Sequence, residues 1–190
     1  MTQKDTDEQP ISVDKAVELI ATKTGNLFEN HKLCCSESVL LALNEGFGGG
    51  LPPDAAVCLS SGFCGGMGDA GCTCGALSGA IMALGLFLGP GRKDGVGKKK
   101  LRELSRITHD EFKKQFSSTC CRVLTKKVRH DKKLRRRNCM LLTVGGAESV
   151  ARQVLEHRPD IRKKLNTGFL EDRQSRLRIL LNKILGKSTA

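Results

Sequence analysis

Apolar residues along this chain recur at intervals of three and four much more often than at intervals of two, a pattern that predicts helices. Ile11 precedes a capping Ser12, and Val13, Val17 and Ile20 then share one face. Ser36 is placed to cap a second helix, with Glu37 in its first turn, Val39, Leu40 and Leu43 on one side, and Gly46 as its stop. Pro53 stands where a third helix would begin, and Ala55–Phe63 follows until Gly65-Gly66 breaks it. Ala76–Leu88 is apolar on all sides. Lys100–Phe116 is amphipathic, with an interrupted stripe of Leu101, Leu104, Ile107 and Phe112. Further helices are expected over Cys120–Arg129, Met140–Glu156 and Asp172–Leu185, the last with Leu177, Leu180, Leu181 and Ile184 on one face. Strand-like alternation is scarce. The expected fold is all-α, a bundle of about six to eight helices around the central apolar, Gly-rich helix 76–88. A polar tail over residues 1–10 would lead into a cysteine-rich helical domain over 11–158, and a basic helical extension would follow over 159–190.

The central helix raises a membrane question. No charge occurs from Ala70 to Gly91, and Gly75 and Gly79 have the spacing that lets membrane helices pack closely. The run ends at Pro90 after about 14 helical residues, short of the ~20 a span requires. It reads as a buried helix of a bundle.

Charge changes the picture further. The 190 residues carry a net charge of +12, very unevenly placed. Residues 1–97 hold six basic against eleven acidic residues, while residues 98–190 hold 26 against nine. The divide falls in the Gly-rich link Gly89–Gly97, which reads as a loop within one fold because cysteines lie on both sides. The densest basic segment is Lys126–Arg137. It could neutralise nucleic-acid phosphates. However, the chain has no Trp or Tyr and seven Phe placed mostly on apolar faces, so the stacking platform of single-strand binders is missing. Docking of an acidic redox partner is the preferred reading of that segment, and nucleic acid is not.

Two nucleotide motifs fail in context. Gly66-Met67-Gly68-Asp69-Ala70-Gly71 matches a dinucleotide fingerprint, with Asp94 downstream, but no buried strand precedes it and no βαβ unit surrounds it. NAD is therefore not expected. Gly91–Lys98 misses the spacing of a phosphate-binding loop and lacks the following Ser/Thr.

The thiols carry the chemistry. There are nine cysteines, an odd number that excludes a fully paired disulfide set within one chain. Met1–Gln9 lacks the basic and apolar regions of an export signal, so a cytoplasmic, reducing setting is expected. Cys35 beside Ser36, Cys74 at the head of the apolar helix, Cys121 after Ser117-Ser118-Thr119, and Cys139 after Asn138 each fall within a turn of an expected helix start. Free N–H groups at such ends favour thiolates. If the four ends converge, they form a pocket for an anionic, thiolate-ligated cofactor. Cys58 reads as a small core hydrophobe, and Cys34 and Cys120 as neighbours pointing away from the site. Cys64 and Cys72, flanking the Gly turn, are auxiliary ligand or resolving candidates.

Cys35-Ser36-Glu37-Ser38-Val39, Ser61–Gly68, Cys74-Gly75-Ala76-Leu77-Ser78-Gly79-Ala80, Cys121-Arg122 and Cys139 together resemble the C_GCAxxG_C_C family of redox-active proteins. The resemblance runs from about residue 13 to about residue 155. It implies a small helical protein of redox chemistry, or one carrying a metal centre such as an iron–sulfur cluster. Its four characteristic cysteines map onto Cys35, Cys74, Cys121 and Cys139. The chain departs from the pattern at Asp69-Ala70-Gly71-Cys72, in the extra Cys34, Cys64, Cys72 and Cys120, and in its basic segment.

The expected function is therefore electron transfer through an iron–sulfur cluster on Cys35, Cys74, Cys121 and Cys139. The alternative is a metal-free thiol/disulfide protein, weakened by the lack of a C-x-x-C, or a basic nucleic-acid-binding module. Structural zinc lacks its paired ligand spacing. Haem is not expected, because C-x-x-C-H is missing and His31, His109, His130 and His157 are isolated. No Ser–His–Asp or acid-pair arrangement is readable.

Overall fold

A computed structural model describes residues 10–30 and 33–173. Six helices of nine or more residues form the bundle: α1 (Val13–Asn30), α2 (Cys35–Phe47), α3 (Pro53–Ser61), α5 (Gly75–Leu88), α6 (Lys98–Phe116) and α8 (Lys132–His157). Shorter turns, α4 (Cys64–Met67), α7 (Cys121–Thr125) and α9 (Thr167–Glu171), with a 3₁₀ segment at Pro159–Lys163, join and cover them. Among the described residues there is no strand, only an isolated bridge between Thr73 and Cys120. The all-α expectation holds.

The central helix sits where its composition requires. Ala76, Leu77, Ala80, Ala83, Leu84, Phe87 and Leu88 of α5 are all buried, between α2 on one side and α8 on the other. Val39, Leu40 and Leu43 of α2, Ile20 of α1, and Val150, Val154 and Leu155 of α8 complete the main core. Close approach depends on missing side chains. A Cβ on Gly79 would lie 2.7 Å from the Ser36 carbonyl oxygen, and one on Gly146 would lie 3.0 Å from the Ala76 carbonyl oxygen. Among the described residues, no helix is long and apolar enough to cross a membrane.

Several helix ends differ from expectation. Ser12 does receive the Lys15 N–H, at 3.2 Å, as a capping residue should. In α2 the cap is Cys34, not Ser36. The Cys34 N–H donates to Glu37 Oε2 at 2.8 Å, so the reciprocal carboxylate of a capping box fixes the start two residues earlier. Gly46 lies inside α2, and the helix ends instead at Gly48, in the left-handed conformation (φ 68°). The largest correction concerns the basic run. The helix expected over Cys120–Arg129 stops at Thr125, and α8 begins at Lys132 instead of near Met140. Asp131 caps it, accepting the Lys133 and Leu134 N–H groups at 2.8 and 2.9 Å. A single Asp amid eight Lys and Arg residues reads as charge patterning, which hid its role as a cap. Asn138, expected to be the cap, instead donates its side-chain N–H to the Leu124 carbonyl.

The chain after α8 folds back on the bundle, with Ile161 and Leu170 buried in the main core. Lys23 of α1 donates to the Asp172 carbonyl at 2.8 Å. The helix expected over Asp172–Leu185 falls, from residue 174 onward, outside the described residues, as does His31.

Candidate metal centre

The cysteines gather at one end of the bundle because the Gly turn is clamped to α7. Gly65, Gly66, Gly68 and Gly71 all have positive φ, so the chain coils tightly between α3 and α5. Its outgoing limb then pairs with the segment entering α7. The Cys74 N–H donates to the Thr119 carbonyl at 2.8 Å, the Cys121 N–H to the Cys72 carbonyl at 2.6 Å, and the Arg122 N–H to the Gly71 carbonyl at 3.0 Å. This clasp sets Cys74 beside Cys121. Gly66 must be glycine twice over. Its φ is 75°, and a Cβ there would lie 2.6 Å from that of Cys121.

Around this clasp lies a cavity of about 300 Å³. Cys35, Cys74, Cys121 and Cys139 all line it, each delivered by a different helix. Cys35 is the first residue of α2, Cys74 caps α5, and Cys121 opens α7. Cys139 reaches the same space from two turns inside α8, not from a helix start. Arg135 and Arg136, one turn before it, line the cavity as well. Arg136 donates to the Phe28 and Glu29 carbonyls and lies over the Phe28 ring at 4.9 Å. Neither arginine stood out within the basic run, since period alone does not say which of its charges turn inward.

Electrostatics correct the expected thiol acidity. Burial pushes Cys74 up to about 12 and Cys139 up to about 11, and it raises Cys35 and Cys121 as well. The neighbouring Cys35 adds to the rise at Cys74, Cys121 and Cys139. Amide groups at the helix starts do oppose it, those of Ala76 and Leu77 at Cys74 and those of Gly65 and Ser36 at Cys35. Desolvation wins, because a helix terminus stabilises a thiolate only modestly whereas removing water disfavours the charge strongly. The metal-free site therefore holds neutral thiols at pH 7. Thiolates would be formed there by exchange of protons for a cationic centre.

The donor set fits such a centre. Four cysteines around one cavity are the ligand complement of an iron–sulfur cluster, and Arg135 and Arg136 oppose the charge that gathers on Cys139. A single tetrahedral zinc is a poorer match. Thiolates at about 2.3 Å from one ion would lie about 3.8 Å apart. Among the described residues no three of these four sulfurs lie within 4.8 Å of one another.

The remaining thiols separate cleanly. Cys34, expected to point away, is disulfide-bonded to Cys64 with Cα atoms 5.9 Å apart, and both residues lie on the cavity wall. Cys72 is exposed and off the cavity, its backbone rather than its sulfur serving the site. The Cys120 thiol donates to the Gly71 carbonyl at 3.2 Å. Cys58 is exposed, not a core hydrophobe.

Residues 33–153 match the family model described as "Putative redox-active protein (C_GCAxxG_C_C)". The chain belongs to the C_GCAxxG_C_C family. The match covers the clasp, all four convergent cysteines and every residue that lines the cavity except Phe28. No match was found among curated proteins or solved structures.

Proposed function

We propose that the protein is an electron carrier that holds an iron–sulfur cluster through Cys35, Cys74, Cys121 and Cys139. The observation that carries this reading is the convergence of four thiols from α2, α5, α7 and α8 on one cavity. When bound, the cluster would supply one-electron chemistry. The chain's own residues provide the rest. Phe28, Leu33 and Leu142 line the cavity with apolar surface that limits water. Arg135 and Arg136 counter negative charge, and the clasp holds Cys74 and Cys121 in register.

Lys126, Lys127, Arg129, Lys132, Lys133 and Arg137 are exposed in the same segment as the cavity-lining Arg135 and Arg136, a basic surface suited to steering an acidic redox partner. Anaerobic reconstitution with iron and sulfide tests the proposal. A sulfur-to-iron absorption spectrum that bleaches on reduction is expected, and its absence in correctly folded protein would overturn it.

A second reading, thiol/disulfide exchange, is favoured by one observation. The Cys34–Cys64 disulfide lies on the wall of the same cavity as the four free thiols. Mass spectrometry of the metal-free protein after mild oxidation separates the two. Reversible loss of two hydrogens between one defined pair of cavity thiols would support exchange.

A further inference from the structure

The Cys34–Cys64 pair lies in an environment that a purely structural disulfide does not need. Their sulfurs and a carboxylate oxygen of Glu37 all lie within 4.8 Å of one another. Glu37 is oriented by its neighbours: Oε2 accepts the Cys34 N–H at 2.8 Å, and Oε1 lies 2.7 Å from the Ser61 hydroxyl, which divides its proton between Glu37 and the Val57 carbonyl. Metal-binding carboxylates are oriented by such outer hydrogen bonds. The fully buried Ser36 hydroxyl lies 3.4 Å from the Cys34 sulfur and 3.3 Å from that of Cys64. It also donates to the Ser60 carbonyl at 2.8 Å, which fixes its position beside the two sulfurs. Cys34, Glu37 and Cys64 are each half-buried, so solvent reaches the cluster.

We infer that Cys34, Glu37 and Cys64 form a second metal site, for a thiophilic divalent cation of the zinc class, that is open only when their disulfide is reduced. Two sulfurs and one carboxylate supply three ligands, and the exposed side leaves a fourth position to water, the arrangement of an open rather than a closed zinc site. The chemistry balances in two steps. An external dithiol donates two electrons and two protons to the Cys34–Cys64 bond and leaves as its own disulfide, giving two thiols. The divalent ion then binds both sulfurs and displaces the two protons. The same sulfur atoms cannot serve both states, so bond formation and metal binding exclude each other. This site is distinct from the four-thiol centre and shares no ligand with it.

The test counts Co²⁺, a spectroscopic stand-in for zinc, on anaerobic protein free of other metals. Protein with the disulfide intact is compared with protein reduced by a phosphine that is then removed. Reduction is expected to add about one Co²⁺ per chain with thiolate-to-cobalt absorption. The increment should vanish in Cys64→Ala and Cys34→Ser, and its affinity should fall about ten-fold or more in Glu37→Gln, which keeps an acceptor for the Cys34 N–H. Cys139→Ser, which removes a ligand from the other centre, should leave the increment intact. Loss of cluster loading in that variant with the increment retained would therefore separate the two centres. Equal Co²⁺ uptake with the disulfide open or closed overturns the inference, and this arm needs no substitution. Equal uptake by reduced wild type and folded Cys64→Ala overturns it too.

Discussion

Gly79 and Gly85 lie in the interior of the same helix, α5, and substitution of each by alanine isolates the contact that brings Cys35 to the cavity. Any helix gains roughly 1 kcal/mol when an interior glycine becomes alanine, so that gain cancels between the two variants. At Gly85 the added methyl meets nothing within 4 Å. At Gly79 it would lie 2.7 Å from the Ser36 carbonyl oxygen, 3.0 Å from the Ser36 Cα and 3.2 Å from the Val39 Cβ. Two of those atoms are backbone, and Ser36 is pinned by its bond to Ser60, so α2 must move as a body. Overpacking of this kind costs about 1–3 kcal/mol. The Gly85→Ala protein should therefore be more stable than wild type, and Gly79→Ala less stable than Gly85→Ala by about 1–3 kcal/mol. For a chain of this size that is a gap of roughly 2–12 °C in Tm. Urea titrations with matched slopes give the free energies directly. Displacement of α2 also moves Cys35, so cluster loading should fall in Gly79→Ala and stay intact in Gly85→Ala. Equal stability of the two variants would refute the tight α2–α5 crossing.

Three further outcomes follow from the site and its supports. In metal-free protein, Cys74 and Cys139 keep their protons to about 12 and about 11, against 9.0 for an ordinary thiol. The folded state then binds more protons than the unfolded one above about pH 9, so stability present below that pH is lost as pH rises toward 11–12. Urea midpoints should fall over that range and fall less in Cys139→Ser, whereas a flat wild-type profile contradicts the burial of these thiols. Asp131→Ala should cost about 1 kcal/mol through loss of the α8 cap, and Asp131→Asn only a few tenths, measured by thermal unfolding. Charge neutralisation at Lys132, Lys133 and Arg137 should slow electron exchange with an acidic partner and flatten its salt dependence, with the cluster spectrum unchanged; an unaltered salt dependence refutes the basic docking face.

The parts of the molecule visible in the sequence are those governed by local rules. Apolar period marked α1 and α2, apolar composition marked α5 as the central buried helix, and the neighbours of Cys35, Cys74 and Cys121 marked them as lying at helix starts. Cys139 reached the cavity by a different route. Its helix is capped by Asp131, whose capping bonds were concealed in a run of charge, and Asn138 faces Leu124 instead. The approach of Cys34 to Cys64 was not legible because it depends on how the Gly turn folds against α2, a contact between residues 30 apart. Thiol acidity was misread for a related reason. A helix start is local, but the desolvation that outweighs it arises only when four elements close around one cavity.

The proposed function requires that the sulfurs of Cys35, Cys74, Cys121 and Cys139 hold one cluster. Iron and acid-labile sulfide, counted per chain in anaerobically reconstituted protein, test it most directly when wild type is set beside single Cys→Ser variants. Substitution of Cys35, Cys74, Cys121 or Cys139 should lower both counts sharply, while Cys58→Ser and Cys72→Ser should match wild type. Iron and sulfide that fail to bind the folded wild type, or that persist equally in all six variants, would contradict it.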